Sequence, residues 1–116
     1  MIAKKYRFHG HNSLNYLYRN GRTVHGKTLA VRFVPNNHRE LPRFSVIVSK
    51  KISKSAVKRN LIRRRIYEIV RHNIKPDSPA IDIAISVYSP EILSMPHAEL
   101  EKQVVNLLRS AKFVVQ

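Results

Sequence analysis

Ser49-Lys-Lys-Ile-Ser-Lys-Ser-Ala-Val-Lys-Arg-Asn-Leu-Ile-Arg-Arg-Arg-Ile-Tyr-Glu-Ile-Val-Arg71 decides how this chain is read, because it carries nine Lys and Arg from Lys50 to Arg71 against one acid, Glu68. Ser55 is a residue type that caps a helix N-terminus. Ile62, Ile66, Ile69 and Val70 follow it at helical spacing, so the segment is an amphipathic helix with one buried stripe, running to about His72. On the helical wheel Asn60, Arg64, Tyr67 and Arg71 form a polar stripe, with Arg63 beside it and the isoleucines well apart. Arginine forks meet phosphate with two parallel hydrogen bonds, Asn60 can donate to sugar or phosphate oxygens, and Tyr67 offers a stacking face. Such a stripe is fit to follow a nucleic-acid backbone. A charged helix face is commonly only solvated. Here the charges are nearly all of one sign, which lowers stability unless a polyanion is bound.

The elements on either side follow from their periodicity. A basic extended arm through Arg7 and Phe8 leads to a short helix capped by Asn12 or Ser13, bearing Leu14, Leu17 and Tyr18 and closed by Gly21. Lys27 to Val34 alternates, with Leu29, Val31 and Phe33 on one face and Ala30 and Arg32 on the other. Pro35 to Pro42 supplies a turn, and a second strand from Arg43 to Ser49 makes a hairpin with the first. The basic loop Lys50 to Lys54 enters the long helix, and Lys75 to Pro79 breaks the chain after it. Ala80 to Tyr88 alternates again, Ile81, Ile83, Ile85 and Val87 facing a core while Asp82, Ala84, Ser86 and Tyr88 face away. Ser94 opens a last helix with Pro96 in its first turn and Leu100, Val104, Leu107, Leu108 and Ala111 on its apolar face. The order is roughly α-β-β-β-α-β-α, with one of the early strands the least marked. A strand, a helix and a further strand in one sheet form a crossover unit with parallel strands, normally right-handed.

Length allows one domain over 1–116, with enough surface buried for a single core. The net charge of +15 would make a compact monomer repel itself, so the expected partner is a polyanion, nucleic acid first. The charge is uneven: residues 1–71 hold 18 basic residues and 2 acids, and the remainder is near balance. The C-terminal third is therefore structural. With no cysteine there is no disulfide, zinc thiolate site or thiol nucleophile, which excludes disulfide scaffolds and cysteine zinc fingers. No apolar run approaches the roughly 20 residues that span a bilayer, and the N-terminus lacks a signal-peptide core, so a cytoplasmic protein without membrane contact is expected.

A second surface is offered by Leu14, Tyr16, Leu17, Tyr18 and nearby Phe8, extended by Phe33. These apolar and aromatic residues interleave with Arg7, Arg19, Arg22 and Arg32 as single-stranded bases require. Core packing is the commoner role for most of them, and Tyr18 is the best candidate for a cleft. The six histidines include one close pair, His9 and His11, too few ligands for zinc without Cys or a nearby acid. The seven acids are scattered from Glu40 to Glu101, so no carboxylate centre for two-metal nuclease chemistry can be drawn. No glycine-rich phosphate loop or nucleophile elbow accompanies the Ser and Tyr residues.

Phe44-Ser-Val-Ile-Val-Ser-Lys-Lys51, followed by Ala56-Val-Lys-Arg-Asn-Leu-Ile-Arg-Arg64 and Arg71, resembles the protein component of bacterial ribonuclease P. Arg7-Phe8, the helix ending Tyr18-Arg-Asn-Gly21, and Asp82 to Ile85 before the leucine-rich last helix fall in the same order, so the resemblance covers nearly the whole chain. It implies an α/β (α+β) sandwich with a small mixed sheet, the Arg-rich helix lying in a βαβ crossover that is left-handed in the family. It also implies a protein subunit of an RNA-based endonuclease that matures tRNA 5′ ends. Catalysis and Mg2+ then belong to a partner RNA, the protein holds no cofactor through its own side chains, and a protein oligomer is not expected. The partners are the catalytic RNA and precursor tRNA. By matching position, RNA binding falls on Arg59, Asn60, Arg63, Arg64 and Arg71, entered by Lys50 and Lys51; the basic segment and the helical wheel add Lys54, Lys58 and Tyr67 to the set. The precursor's 5′ leader falls on Leu14, Tyr18 and Arg32, with Phe8. Two positions depart from the family: Leu61 replaces its second motif arginine, and Leu14 and Arg32 stand where it offers aromatics. Were Leu61 core, Arg65 would be the nearest substitute. A structural RNA-binding protein of ribosomal type is the alternative that composition also fits.

Overall fold

The computed structural model describes residues 4–8, 11–36, 41–74, 80–111 and 113, with nothing described of the side chains of Lys4 and 11–13. His9, the tip of the Pro35 to Pro42 turn and the Lys75 to Pro79 break lie outside the described residues, as does the side chain of His11. Helix α1 (His11–Asn20) is followed by strands β1 (Arg22–His25), β2 (Leu29–Pro35) and β3 (Arg43–Ile47). Helix α2 (Ala56–Asn73), strand β4 (Ile81–Val87) and helix α3 (His97–Ser110) complete the order, with short 3-10 turns at Lys4–Tyr6 and Pro90–Leu93.

The four strands form one mixed sheet in the order β1-β2-β4-β3. β2 pairs antiparallel with β1 and with β4, and β3 pairs parallel with β4, so β3-α2-β4 is the expected crossover. The expected hairpin between the strands flanking Pro35 to Pro42 does not form, because β4 inserts between β2 and β3. The true hairpin is β1-β2. Its loop is closed by Gly26 N–H donating to Leu29 O at 2.8 Å, and Thr28 Oγ1 donates to Gln103 on α3. β1 is four residues long and carries one aliphatic residue, Val24, which is why its periodicity is faint.

Alternation along the strands builds two cores of unequal size. Leu29, Val31, Phe44, Val46, Ile83, Ile85 and Val87 point to the face covered by α2 and α3, where Ile62, Ile66, Ile69, Val70, Leu100, Val104, Leu107 and Leu108 meet them. α1 covers the opposite face, where Leu17 packs with Phe8, Val34 and Ala84. Ala84 and Asp82, expected to face away from the core, are therefore buried under this second cover. Gly21 closes α1 for a steric reason: its N–H donates to Leu17 O at 2.8 Å, and a Cβ there would stand 2.5 Å from that same oxygen.

Capping agrees with the reading at one helix and departs from it at two. Ser55 Oγ accepts from Lys58 N–H at 3.2 Å, as its position before α2 requires. α1 begins at His11, so Asn12 and Ser13 lie in its first turn instead of before it. α3 begins at His97 with Pro96 as its N-cap and no side-chain cap bond, because Ser94 closes the 3-10 turn at Pro90–Leu93 through its N–H to Glu91 O.

Candidate nucleic-acid interface

The buried stripe of α2 fixes its rotation against the sheet, and that rotation sorts the basic residues. Lys50, Lys51 and Lys54 in the entering loop, and Lys58, Asn60 and Arg64 on the helix, are exposed. Arg64 makes no hydrogen bond or ion pair among the described residues, so its whole fork is available to a ligand. Arg59 and Arg63 are half-buried: Arg59 donates to Ser53 O at 2.8 Å, pinning the entry loop to the first turn, and Arg63 donates to Asn60 Oδ1. Asn60 thus orients the Arg63 fork with its oxygen and keeps its amide donors outward.

Arg71 is engaged. Its Nε and Nη2 donate to Glu68 Oε2 at 3.2 and 2.9 Å, and this pairing is the largest of the causes that hold the Glu68 carboxyl down at about 2, from an ordinary 4.5. The single acid of the segment therefore masks one of its nine cations. Arg65 is not a substitute RNA contact, because its guanidinium donates to the carbonyls of Ile92, Leu93 and Met95 and fastens α2 to the 3-10 turn ahead of α3.

Tyr67 corrects the wheel. It is 6% exposed, and its hydroxyl accepts from Val46 N–H at 3.1 Å, so the ring faces the sheet and offers no stacking surface. Burial raises its pKa, with that hydrogen bond and the charges of Arg7 and Arg63 acting the other way. Leu61 is 43% exposed and Val57 70%, an apolar pair one turn apart on an otherwise polar surface.

Of the residues expected to hold the leader, α1 and β2 bring three together. Tyr18 is 44% exposed, and Arg32 lies over its ring at 5.2 Å while donating to Tyr18 O at 2.9 Å. Leu14 is partly buried against the smaller core. The fourth, Phe8, is buried at 4% exposure with the Arg43 guanidinium 4.9 Å from its ring centre, so it is a core residue and not a stacking platform. Tyr16, on the outer side of α1, is exposed.

Sequence reasoning missed the group that stiffens this face of the sheet. Arg43 donates to Asp82 through Nε at 2.9 Å and Nη2 at 2.7 Å, and Asn36 Nδ2 donates to the same carboxylate at 2.9 Å. Arg43 and Asp82 are cross-strand partners in the parallel β3-β4 register, a relation that appears only once that register is known. Among the described residues no three His, Asp or Glu side chains come together as a metal site would need, and no helix is long and apolar enough to cross a membrane.

Fold and surface define a small α+β protein that presents a fixed cationic face of nearly one sign, the class suited to binding polyanions. A family model described as Ribonuclease P matches residues 2–112, and the chain belongs to the bacterial ribonuclease P protein family. It is 34% identical over 85 residues to the ribonuclease P protein component of Prochlorococcus marinus, spanning 64% of this chain and 66% of that one. To that of a Cyanothece species it is 28% identical over 129 aligned positions, 98% of each. The Staphylococcus aureus RNase P protein superimposes with a TM-score of 0.78 at 25% identity, covering 96% of this chain and 98% of that one. The Thermotoga maritima protein, at 22% identity, has the same fold with a TM-score of 0.78 over 90% of this chain and 96% of that one.

Proposed function

We propose that this subunit binds the catalytic RNA of ribonuclease P through the α2 face and holds the 5′ leader of precursor tRNA beside α1, so assisting cleavage that the RNA performs. The observation that carries the reading is the set Lys50, Lys51, Lys54, Lys58 and Arg64, five exposed cations on one rigid segment whose only acid is already paired with Arg71. Phosphates meeting such a face release condensed counterions, so binding is driven largely by charge and falls with salt. Neutralising the phosphates of both RNAs lets the precursor approach the catalytic strand against less repulsion.

The leader reading rests on Leu14, Tyr18 and Arg32, which supply one exposed ring and one guanidinium for an unpaired nucleotide. Phe8 and Tyr67 are outside that role. Magnesium is assigned to the RNA, whose phosphate oxygens are its ordinary ligands, and among the described residues no acids converge on a competing site. The working compartment is the cytoplasm, where precursor tRNA is made. Reconstitution with the cognate RNA at low magnesium tests the whole reading: the protein should lower the magnesium needed for site-specific leader release. Protein freed of RNA should release no leader. Cleavage by the protein alone that survives nuclease treatment of the preparation would refute the division of labour.

A further inference from the structure

Arg7 was grouped by sequence with the aromatics of α1, and the fold carries it elsewhere. Its bridge to Phe44 is parallel, and Phe8 N–H donates to Phe44 O at 3.0 Å, so the N-terminal segment lies along the outer edge of β3. Residues paired across strands share a face. Phe44 points into the larger core, which puts Arg7 on the α2 side of the sheet while Phe8, the next residue, enters the smaller core.

Backbone groups alternate in direction along a strand. Because Phe44 O points outward to Phe8, Val46 N–H also points outward, and it is this group that the Tyr67 hydroxyl accepts from. The Tyr67 hydroxyl and Arg7 therefore stand on the same edge of β3, two residues apart, or roughly 7 Å along the strand. Tyr67 and Arg63 are one helical turn apart on α2, and the charges of both Arg7 and Arg63 act on the Tyr67 hydroxyl.

Donors in this corner lack acceptors. Arg7 Nε is buried without a hydrogen-bond partner, and among the described residues no part of its guanidinium is bonded or ion-paired. The Tyr67 hydroxyl spends its oxygen on Val46 N–H and keeps its own proton, for which no described residue is an acceptor. Buried donors without acceptors are rare, and two of them beside a second cation, Arg63, call for an oxyanion.

We propose that Arg7, Arg63 and the Tyr67 hydroxyl form a phosphate site at the junction of the N-terminal segment and α2, filled by one phosphate of the RNA backbone. The identity of the RNA rests on the function proposed above; the chemistry of the site does not. Tyr67 thus takes part in RNA binding through its hydroxyl, from a buried position, and Arg7 extends the footprint beyond α2.

The test melts the full chain in inorganic phosphate and in chloride at matched ionic strength, for wild type, Arg7→Gln, Tyr67→Phe and the α3 control Lys102→Gln. Phosphate should raise the wild-type and control midpoints equally, and the increment should fall by at least half in Arg7→Gln and in Tyr67→Phe. Tyr67→Phe also strands Val46 N–H, so the increment is read and not the midpoint; if that variant does not fold, Arg7→Gln decides. An undiminished increment in Arg7→Gln overturns the site. In a salt series against the catalytic RNA, Arg7→Gln should reduce the log-log slope by roughly 0.7 to 0.9, one phosphate contact. A lost phosphate increment with an unchanged slope overturns the backbone assignment and marks a free-anion site. Wild type that fails to bind the RNA instead brings down the functional reading itself.

Discussion

Replacing Leu61 by arginine adds a cation to the α2 face, and the geometry of α2 sets what should follow. Leu61 is 43% exposed and lies outside the buried stripe of Ile62, Ile66 and Ile69, so little apolar contact is lost. Leu and Arg have nearly equal helix propensity. The new cation would stand one turn before Arg65, a like-charge pair costing about 0.2–0.5 kcal/mol. Glu68, two turns on, is bonded to Arg71. The net change in stability should stay within about 1 kcal/mol, a midpoint shift of no more than about 4 °C for a chain of this size. Binding should change more. One added phosphate contact steepens the log-log salt dependence by about 0.7 to 0.9, so between about 50 and 200 mM salt the variant should lose roughly 3-fold more affinity than wild type. Thermal melts and filter binding across a salt series measure both quantities. A core position would instead bury an unpaired guanidinium at a cost of several kcal/mol. A collapsed midpoint, or an unchanged slope with intact stability, would refute the assignment of this face to RNA.

Arg64→Ala should keep the wild-type melt and flatten the salt slope by about 0.7 to 0.9, whereas Ile66→Ala, at a fully buried site, should cost about 2–5 kcal/mol and leave the slope of the folded protein alone. Identical behaviour of the two in melts and binding would show the helix faces to be misassigned. Arg43→Met leaves the buried Asp82 carboxylate with only Asn36, so urea unfolding should show a loss of about 3–5 kcal/mol, part of it regained by adding Asp82→Asn. Glu68 titrates below its ordinary range in the folded chain, so its contribution is present above pH 4.5 and is lost as pH falls toward about 2. Both partners are exposed, which keeps the effect small and sensitive to salt. NMR titration of Arg71→Ala should move that carboxyl part of the way up toward 4.5; a value still near 2 would show that Arg71 is not its main cause.

The sequence by itself determined what depends on residues within a turn or two of each other. The apolar stripes of α2 and α3, the Ser55 cap, the alternation of β2 and β4 and the concentration of positive charge before residue 72 are all local patterns, and the structure keeps them. Tertiary structure decided everything that needed a partner distant in the chain. No local signal places β4 between β2 and β3, so the hairpin went to the wrong pair and the short β1 was barely visible. Ala84 and Asp82 read as outward because alternation distinguishes two faces without saying that both are covered, and α1 covers the second. Tyr67 sits at the border of the two stripes and the wheel puts it in the polar one; an outward-pointing N–H on the edge of β3 draws its hydroxyl inward. Phe8 and Arg7, neighbours in sequence, are sent to opposite faces of the sheet by the pleat of a strand edge, one into a core and the other toward α2. Arg65, chemically the same as Arg64 beside it, is taken by three carbonyls from the turn before α3, because a helix turns about 100° per residue and only one of the two faces that turn.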